Sequence, residues 1–212
     1  MRILDERVER YLHDLRPERS AVMAEMEEVA ERDSVPIVHW ETGRFLAALC
    51  HAHDPVVLEV GTAIGYSTLH MAAELRSGRV ITLERDPARA DQARGFLERA
   101  GVLDRVELIE GDAIETIPQV SGPVDLLFVD ATKGEYERYI ELAMPQLAER
   151  CVLVVDNLLM SGEVALAPGD DTRWNPDSLA AARRLNAELM ESEDWLACVL
   201  PVGDGIGFGA RR

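Results

Sequence analysis

Apolar residues recur along this chain in two rhythms, and their order predicts the architecture. Over residues 3–16, Ile3, Leu4, Val8, Tyr11, Leu12 and Leu15 fall near helical spacing, and Pro17 closes the run. From Glu18 to Arg32 a second amphipathic pattern carries Val22, Met23, Met26, Val29 and Ala30. Its other side holds Glu25, Glu27, Glu28 and Glu31, which read as a solvated face. After Ser34-Val35-Pro36 a third helix is expected over Glu41–Cys50, with Phe45, Leu46 and Leu49 inward. No strand pattern separates these three helices. They should cap one end of a sheet or form a surface for a second subunit.

Beyond them, short apolar runs alternate with helical ones. Val56-Val57-Leu58-Glu59-Val60 reads as a buried parallel strand, followed by a turn through Gly61 and Gly65 and a helix opening at Tyr66. Further strands are expected at Val80–Leu83, Val106–Ile109, Val124–Val129 and Cys151–Val155. Between them come a helix from Pro87 to Ala100 stopped by Gly101, a short one through Ile114 and Ile117 to Pro118, and one from Tyr136 to Leu147. Residues 164–176, with Pro168, Gly169, Asp170, Asp171 and Pro176, read as a loop, and a helix follows from Ser178 to Met190. Trp195–Leu200 and Ile206–Ala210 flank a hairpin turn at Gly203-Asp204-Gly205. The alternation predicts an α/β fold: a doubly wound, mostly parallel seven-stranded sheet with an antiparallel C-terminal hairpin and an N-terminal helical cap. No repeat or linker divides the chain, so one domain over residues 1–212 is expected.

Composition narrows the classes. With 47% hydrophobic and 29% charged residues the chain is ordinary for a globular protein. Its net charge of −17, from 22 basic and 39 acidic side chains, repels phosphate backbones and makes nucleic acid a poor partner. Cys50, Cys151 and Cys198 are odd in number and lie in apolar surroundings, which reads as reduced core thiols of an intracellular protein. The opening MRILDERVERYLHDL is too charged for a signal peptide, and no apolar run reaches membrane-spanning length. A soluble cytoplasmic protein is the expectation.

The strand ends carry the chemistry. Glu59, Glu84, Asp112, Asp130 and Asp156-Asn157 stand at or near the carboxyl ends of successive strands, the edge where open α/β sheets bind ligands. For any one strand, an acid that caps a helix or begins a loop is the better reading; five in succession favour a shared site. The glycine turn should leave room for a ligand and aim backbone N–H groups at an anion. Its spacing is Gly-x-x-x-Gly with Ala63 inside, not the Gly-x-Gly-x-x-Gly of nicotinamide dehydrogenases. Glu84, 25 residues after Glu59, is placed to bond ribose hydroxyls, and Asp112 with Ala113 to meet an adenine edge. Ser67 could hold a carboxylate through its hydroxyl, or serve as an ordinary helix-start serine. Asp130, Asp156 and Asn157 offer hard oxygen ligands suited to Mg²⁺, Mn²⁺ or Ca²⁺. Lys133, three residues after Asp130, shares its turn, and a neighbouring dication would prepare it as a general base.

EVGTAIGYS, TLERDP, EGDA, FVDATKGEY, VVDNLLMSG and PVGDGIGF, in that order over residues 35–212, resemble the caffeoyl-CoA and catechol O-methyltransferase family. The Asp-x-x-Lys and Asp-Asn pairing is the specific part. The resemblance implies a Rossmann-like fold that binds S-adenosylmethionine and a divalent metal and methylates a hydroxyl of a small catechol-like phenolic. It implies Asp130, Asp156 and Asn157 as metal ligands, Lys133 and Asp130 as catalytic, and Glu84 at the ribose. Ser67 matches the family serine near the methionine carboxylate, with Tyr66 beside it. Cofactor contacts are then expected from Glu59, Gly61, Gly65, Tyr66, Ser67, Glu84, Asp112, Ala113 and Asp130. Residues 1–52 would be the cap or dimerisation segment and 53–212 the cofactor- and metal-binding sheet, with a homodimer as the family habit. Met160 stands where the family often has Trp, and Arg150-Cys151 where it has Gly-Gly. The first change removes an aromatic wall from the acceptor pocket; the second reads as a loop detail. A tRNA wobble-uridine methyltransferase, which the acidic charge opposes, and a non-catalytic cofactor-binding dimer are the alternatives.

Other residues carry blander readings. His51 and His53 lie in a helix-to-strand connection without a third ligand and read as exposed loop histidines. His39, beside Trp40, either lines the site or packs in the cap. Trp174 lies in a loop that could gate substrate, or it serves as a packing anchor. Arg183-Arg184 and Arg211-Arg212 are too short for a nucleic-acid patch.

Overall fold

A single seven-stranded sheet, in the order β3-β2-β1-β4-β5-β7-β6, organises the computed structural model. Residues 3–167 and 169–212 are described; Met1, Arg2 and Pro168 lie outside the described residues. The strands are β1 (Val56–Val60), β2 (Arg79–Glu84), β3 (Val106–Glu110), β4 (Val124–Val129), β5 (Leu147–Val155), β6 (Trp195–Leu200) and β7 (Ile206–Arg211). The first five pair in parallel, and β7 runs antiparallel to both β5 and β6. The helices are α1 (Glu6–Asp14), α2 (Ala21–Asp33), α3 (Trp40–His53), α4 (Tyr66–Ala72), α5 (Pro87–Arg99), α6 (Ala113–Thr116), α7 (Tyr136–Ala143) and α8 (Pro176–Glu191). The Rossmann-like fold expected from the alternation is the fold observed.

Strand alternation sorts the core into two layers. Val57, Val80, Leu126, Phe128 and Val154 face α2 to α5 and meet Met26, Leu46, Leu69, Phe96 and Leu97. Leu58, Val60, Leu83, Leu127, Val129 and Val155 face the other way, toward Ile117, Tyr136, Ile140, Leu185 and Leu189. Because β1 lies between β2 and β4, the ends of all three open onto one crevice at the strand-order reversal, the switch point of doubly wound sheets.

Several boundaries differ from expectation. Helix α3 continues through His53, so His51 and His53 occupy its last turn and not a loop. It ends where Asp54 turns left-handed, at φ 50°, and its carboxylate accepts from the Arg76, Ser77 and Gly78 amides. The helix expected to reach Leu147 stops at Ala143, since Pro145 lies in a 3₁₀ turn over Met144–Gln146 and cannot donate to a helix ladder. Strand β5 accordingly begins at Leu147. The presumed loop 164–176 begins inside 3₁₀ turns over Met160–Ala165 and ends where Pro176 opens α8 behind its Asn175 cap. Cys50 and Cys151 are buried, but Cys198 is exposed. Strand β6 is the sheet edge and turns Leu196 and Cys198 outward, so the apolar surroundings of Cys198 in sequence did not make it core.

Candidate active site

Glu59 is fully buried and reaches α4 through Ser67 and Thr68. Its carboxylate accepts hydrogen bonds from the Ser67, Thr68 and Thr82 hydroxyls, at 2.5, 2.5 and 2.7 Å. Burial pushes Glu59 up to about 7 against the pull of those three donors, and Asp130 adds to the rise. The expected direct cofactor contact is therefore replaced by a buried anchor beneath the turn. An acid one residue before the strand's end alternates onto the sheet face, whereas the crevice lies beyond the end.

The turn itself also differs from expectation. The Gly61 and Thr62 amides both donate to Leu83 O, Ala63 N donates to Glu84 Oε2 at 2.8 Å, and Gly65 N donates to Thr62 O. Those four N–H groups are spent within the protein and are not aimed at an anion. The glycines meet protein, too. A Cβ on Gly61, whose φ is +105°, would lie 2.2 Å from the Asp130 carbonyl oxygen, and one on Gly65 would meet Ala93 and Leu97 of α5. Close packing of β1 on β4, and of the helix start on α5, demands these residues.

A cavity of about 230 Å³ opens over the turn. Gly61, Tyr66, Ser67, Glu84, Asp112, Ala113, Asp130 and Lys133 line it, eight of the predicted site residues; Glu59 and Gly65 lie behind them. Glu84 accepts from Ala63 N through one oxygen and from Asp86 N, at 3.0 Å, through the other, so it also braces the turn. Asp112 caps α6 by accepting from Ile114 N at 2.9 Å. Tyr66 turns its hydroxyl out of the cavity to donate to Glu27 at 2.7 Å, which ties the cap to α4.

At the other end of the cavity four side chains from three elements converge. Lys133 Nζ donates to Asp130 Oδ1 at 2.7 Å, to the Tyr136 hydroxyl at 2.8 Å and to Asn157 Oδ1. Asp156 is buried, and its Oδ1 accepts from Asn157 N at 2.9 Å. Burial first, then the Asp130 charge, raises its carboxyl well above the usual range; Lys133 and His39 pull it down. Asn157 holds a left-handed backbone at φ 62°, a strained conformation that turns its amide toward Lys133. Among the described residues no group of three or more His, Cys, Asp or Glu side chains is arranged to hold a metal ion. Two carboxylates and one amide are what the sequence offers.

A wider groove of about 1220 Å³ lies beside this cluster, lined by Leu4 and Leu12 near α1, by His39, Trp40, Ser161, Arg173 and Asp204, and by their neighbours. Asp204 sits 3.7 Å from His39 Nε2 and accepts from Ser161 Oγ at 3.0 Å. The Asp204 carboxylate raises the His39 pKa against desolvation, and Asp156 and Glu41 add to it. His39 therefore lines a groove next to the cluster.

The O-methyltransferase family pattern matches residues 14–212. The chain belongs to the O-methyltransferase family. It is 37% identical over 194 residues to a catechol O-methyltransferase of Niastella koreensis, spanning 87% of this chain and 85% of that one. A catechol O-methyltransferase of Mycobacterium tuberculosis is 43% identical over 148 residues, 68% of this chain and 65% of the relative. Among solved structures, an O-methyltransferase from Bacillus cereus in complex with SAH superposes with a TM-score of 0.83 at 29% identity, covering 97% of both chains. The chain is thus an enzyme of the class I S-adenosylmethionine-dependent methyltransferases.

Several residues around the cavities of this O-methyltransferase have no clear signature in the sequence. Tyr136 was visible only as a helix start, although Lys133-x-x-Tyr136 spacing puts both side chains on one turn. Asp204 read as a hairpin residue between two glycines, and nothing local pointed to Ser161 or His39 as its partners. Thr62, Thr68 and Thr82 carried no signal at all, because a hydroxyl's partner is set by tertiary contact. His51 is exposed and pairs with Glu74 at 2.9 Å, in keeping with its bland reading. Trp174 packs with Met160 and Leu179, which makes it an anchor.

Proposed function

We propose that this O-methyltransferase moves the methyl group of S-adenosylmethionine to a hydroxyl of a small catechol-like aromatic, and that a divalent cation takes part. The observation that carries the reading is the convergence of Asp130, Tyr136 and Asn157 oxygens on the single charge of Lys133, at the mouth of a cavity braced by Glu84. Oxygens that gather around one ammonium make a cation site, and Asp156, a buried carboxyl near enough to Asp130 to feel its charge, supplies a second acid that a dication would pair. Asp130, Asp156 and Asn157 would hold the ion, with waters completing its shell. When bound, it would supply Lewis acidity that orients vicinal hydroxyls and makes one of them more acidic. The catechol O-methyltransferases among the relatives support the acceptor class.

The chain's own residues do the rest. Glu84 and Asp112 would hold the ribose and adenine, and Ser67 the amino-acid end. Lys133 in its neutral form takes the proton from the acceptor hydroxyl at Nζ. The resulting oxyanion bonds to the methyl carbon as the carbon–sulfur bond breaks, leaving S-adenosylhomocysteine. Holding donor and acceptor side by side supplies much of the acceleration. Val8, Tyr11 and Leu15 are exposed on α1, which buries no side chain of its own, and this supports the N-terminal helices as a subunit surface. A methyl-transfer screen over phenols, with Mg²⁺ or with chelator, tests the reading. Asp156→Ala should abolish metal-dependent transfer and leave S-adenosylhomocysteine affinity largely intact. Full turnover in chelator would remove the metal from the reaction.

A further inference from the structure

Three hydroxyl protons point at Glu59, and each hydroxyl has only one to give. Thr82 spends its proton on Glu59, so in the 2.6 Å contact between Thr62 and Thr82 the donor must be Thr62. The result is a closed set: Glu59 is satisfied without a cation, and Ser67, which also lines the first cavity, has spent its one hydroxyl proton on Glu59. An anionic ligand group against Ser67 would find no hydroxyl proton left to accept. For Ser67 to donate outward it must withdraw its proton from Glu59, leaving two acceptor oxygens 2.5 Å apart. That contact is stable only with a proton between them.

We propose that Glu59 is a positioning residue for the cofactor's amino-acid end, and that it takes up one proton from solvent when the ligand carboxylate settles against Ser67. The new O–H on Glu59 donates to Ser67 Oγ, and the Ser67 hydroxyl turns to the ligand. No covalent bond other than these O–H bonds changes. The inference rests on the proposed reading that S-adenosylmethionine fills the first cavity with its amino-acid end toward Ser67.

The surroundings favour the step. Burial, with a smaller push from the nearby Asp130 carboxylate, already holds Glu59 up to about 7 despite its three hydroxyl donors. The titratable groups that face it are Asp130, at the end of β4, and Cys50 of α3, whose thiol burial pushes up to about 12 and so keeps neutral. Helix α4 and strand β2 contribute hydroxyls. Ligand affinity should therefore fall as pH rises above the Glu59 pKa of the free protein, because each binding event must then take a proton from solution.

Calorimetric titration of the full chain with S-adenosylhomocysteine, at about pH 8 in buffers of different ionisation heat, reads the proton directly. The wild type should take up close to one proton per site. With 5′-methylthioadenosine, which lacks the amino-acid end, uptake should vanish. Glu59→Gln should bind S-adenosylhomocysteine without uptake, and Ser67→Ala should do the same, which covers the case of a Gln variant that does not fold. Binding by the wild type without proton exchange, or equal uptake with both ligands, would overturn the role given to Glu59. Absence of any S-adenosylhomocysteine binding would instead remove the proposed function.

Discussion

Gly61→Ala is the substitution that most directly tests how the turn and the Asp130–Lys133 cluster are joined. The added methyl would lie 2.2 Å from the Asp130 carbonyl oxygen and 2.9 Å from its carbon, at a φ of +105°. Ordinary contact begins near 3.4 Å, so β1 and β4 must separate locally by about 1 Å, or the turn must change shape. The backbone conformation costs about 1–2 kcal/mol for a residue with a Cβ. Forced overpacking between two central strands costs about 1–3 kcal/mol more. The loss of about 2–5 kcal/mol is a large share of the roughly 5–15 kcal/mol that holds a domain folded. Asp130 carries Lys133 with it through the 2.7 Å ion pair, and if this pair serves the proposed transfer a displacement of about 1 Å can cost on the order of 100-fold in turnover. Urea unfolding should show the lower midpoint, and radiolabelled methyl transfer to a catechol should show the lost turnover. Gly95→Ala is the control: it lies inside α5 with nothing within 4 Å of the new carbon, and should gain about 0.5–1 kcal/mol. An unchanged midpoint for Gly61→Ala would refute the packing argument. A lower midpoint with full turnover would refute the mechanical link to Asp130.

Other outcomes follow from single contacts. Glu59 and Asp156 both hold their protons to higher pH when folded than when unfolded, so metal-free stability should decline as pH rises from the ordinary carboxylate range toward about 7 and level off above it. Urea midpoints at about pH 5 and about pH 8 check the sign, and Asp156→Asn should flatten part of the slope. Glu163→Ala removes the buried acceptor for Thr172 Oγ1, Arg173 N and Arg173 Nε, so trypsin should cut after Arg173 faster than in the wild type. Unchanged cleavage would show that the loop is held by other contacts. Lys133→Met should cost orders of magnitude in turnover at unchanged S-adenosylhomocysteine affinity, as read by calorimetry, and retained turnover would remove Lys133 as the base.

Periodicity alone was enough to show that each of the seven strands exists, because short apolar or alternating runs do not fit the helical repeat, although the first residues of β5 read as the end of a helix. That Glu84, Asp112 and Asp130 share one edge and line one cavity was also legible, since parallel strands bring all their carboxyl ends to the same side. What local sequence could not reveal was the direction of a side chain relative to that edge. Glu59 and Glu84 look alike in the chain, each an acid late in an apolar strand. One alternates onto the sheet face and is sealed among hydroxyls, whereas the other ends its strand and reaches the cavity. The same holds for the glycines, which read as room for a ligand and serve as room for Asp130 and α5. The meeting of Lys133 with Tyr136 and Asn157, and of Asp204 with His39 and Ser161, was decided by packing. Residues far apart in the chain become neighbours only through the sheet register and the layers on it, and a linear pattern carries no measure of that distance.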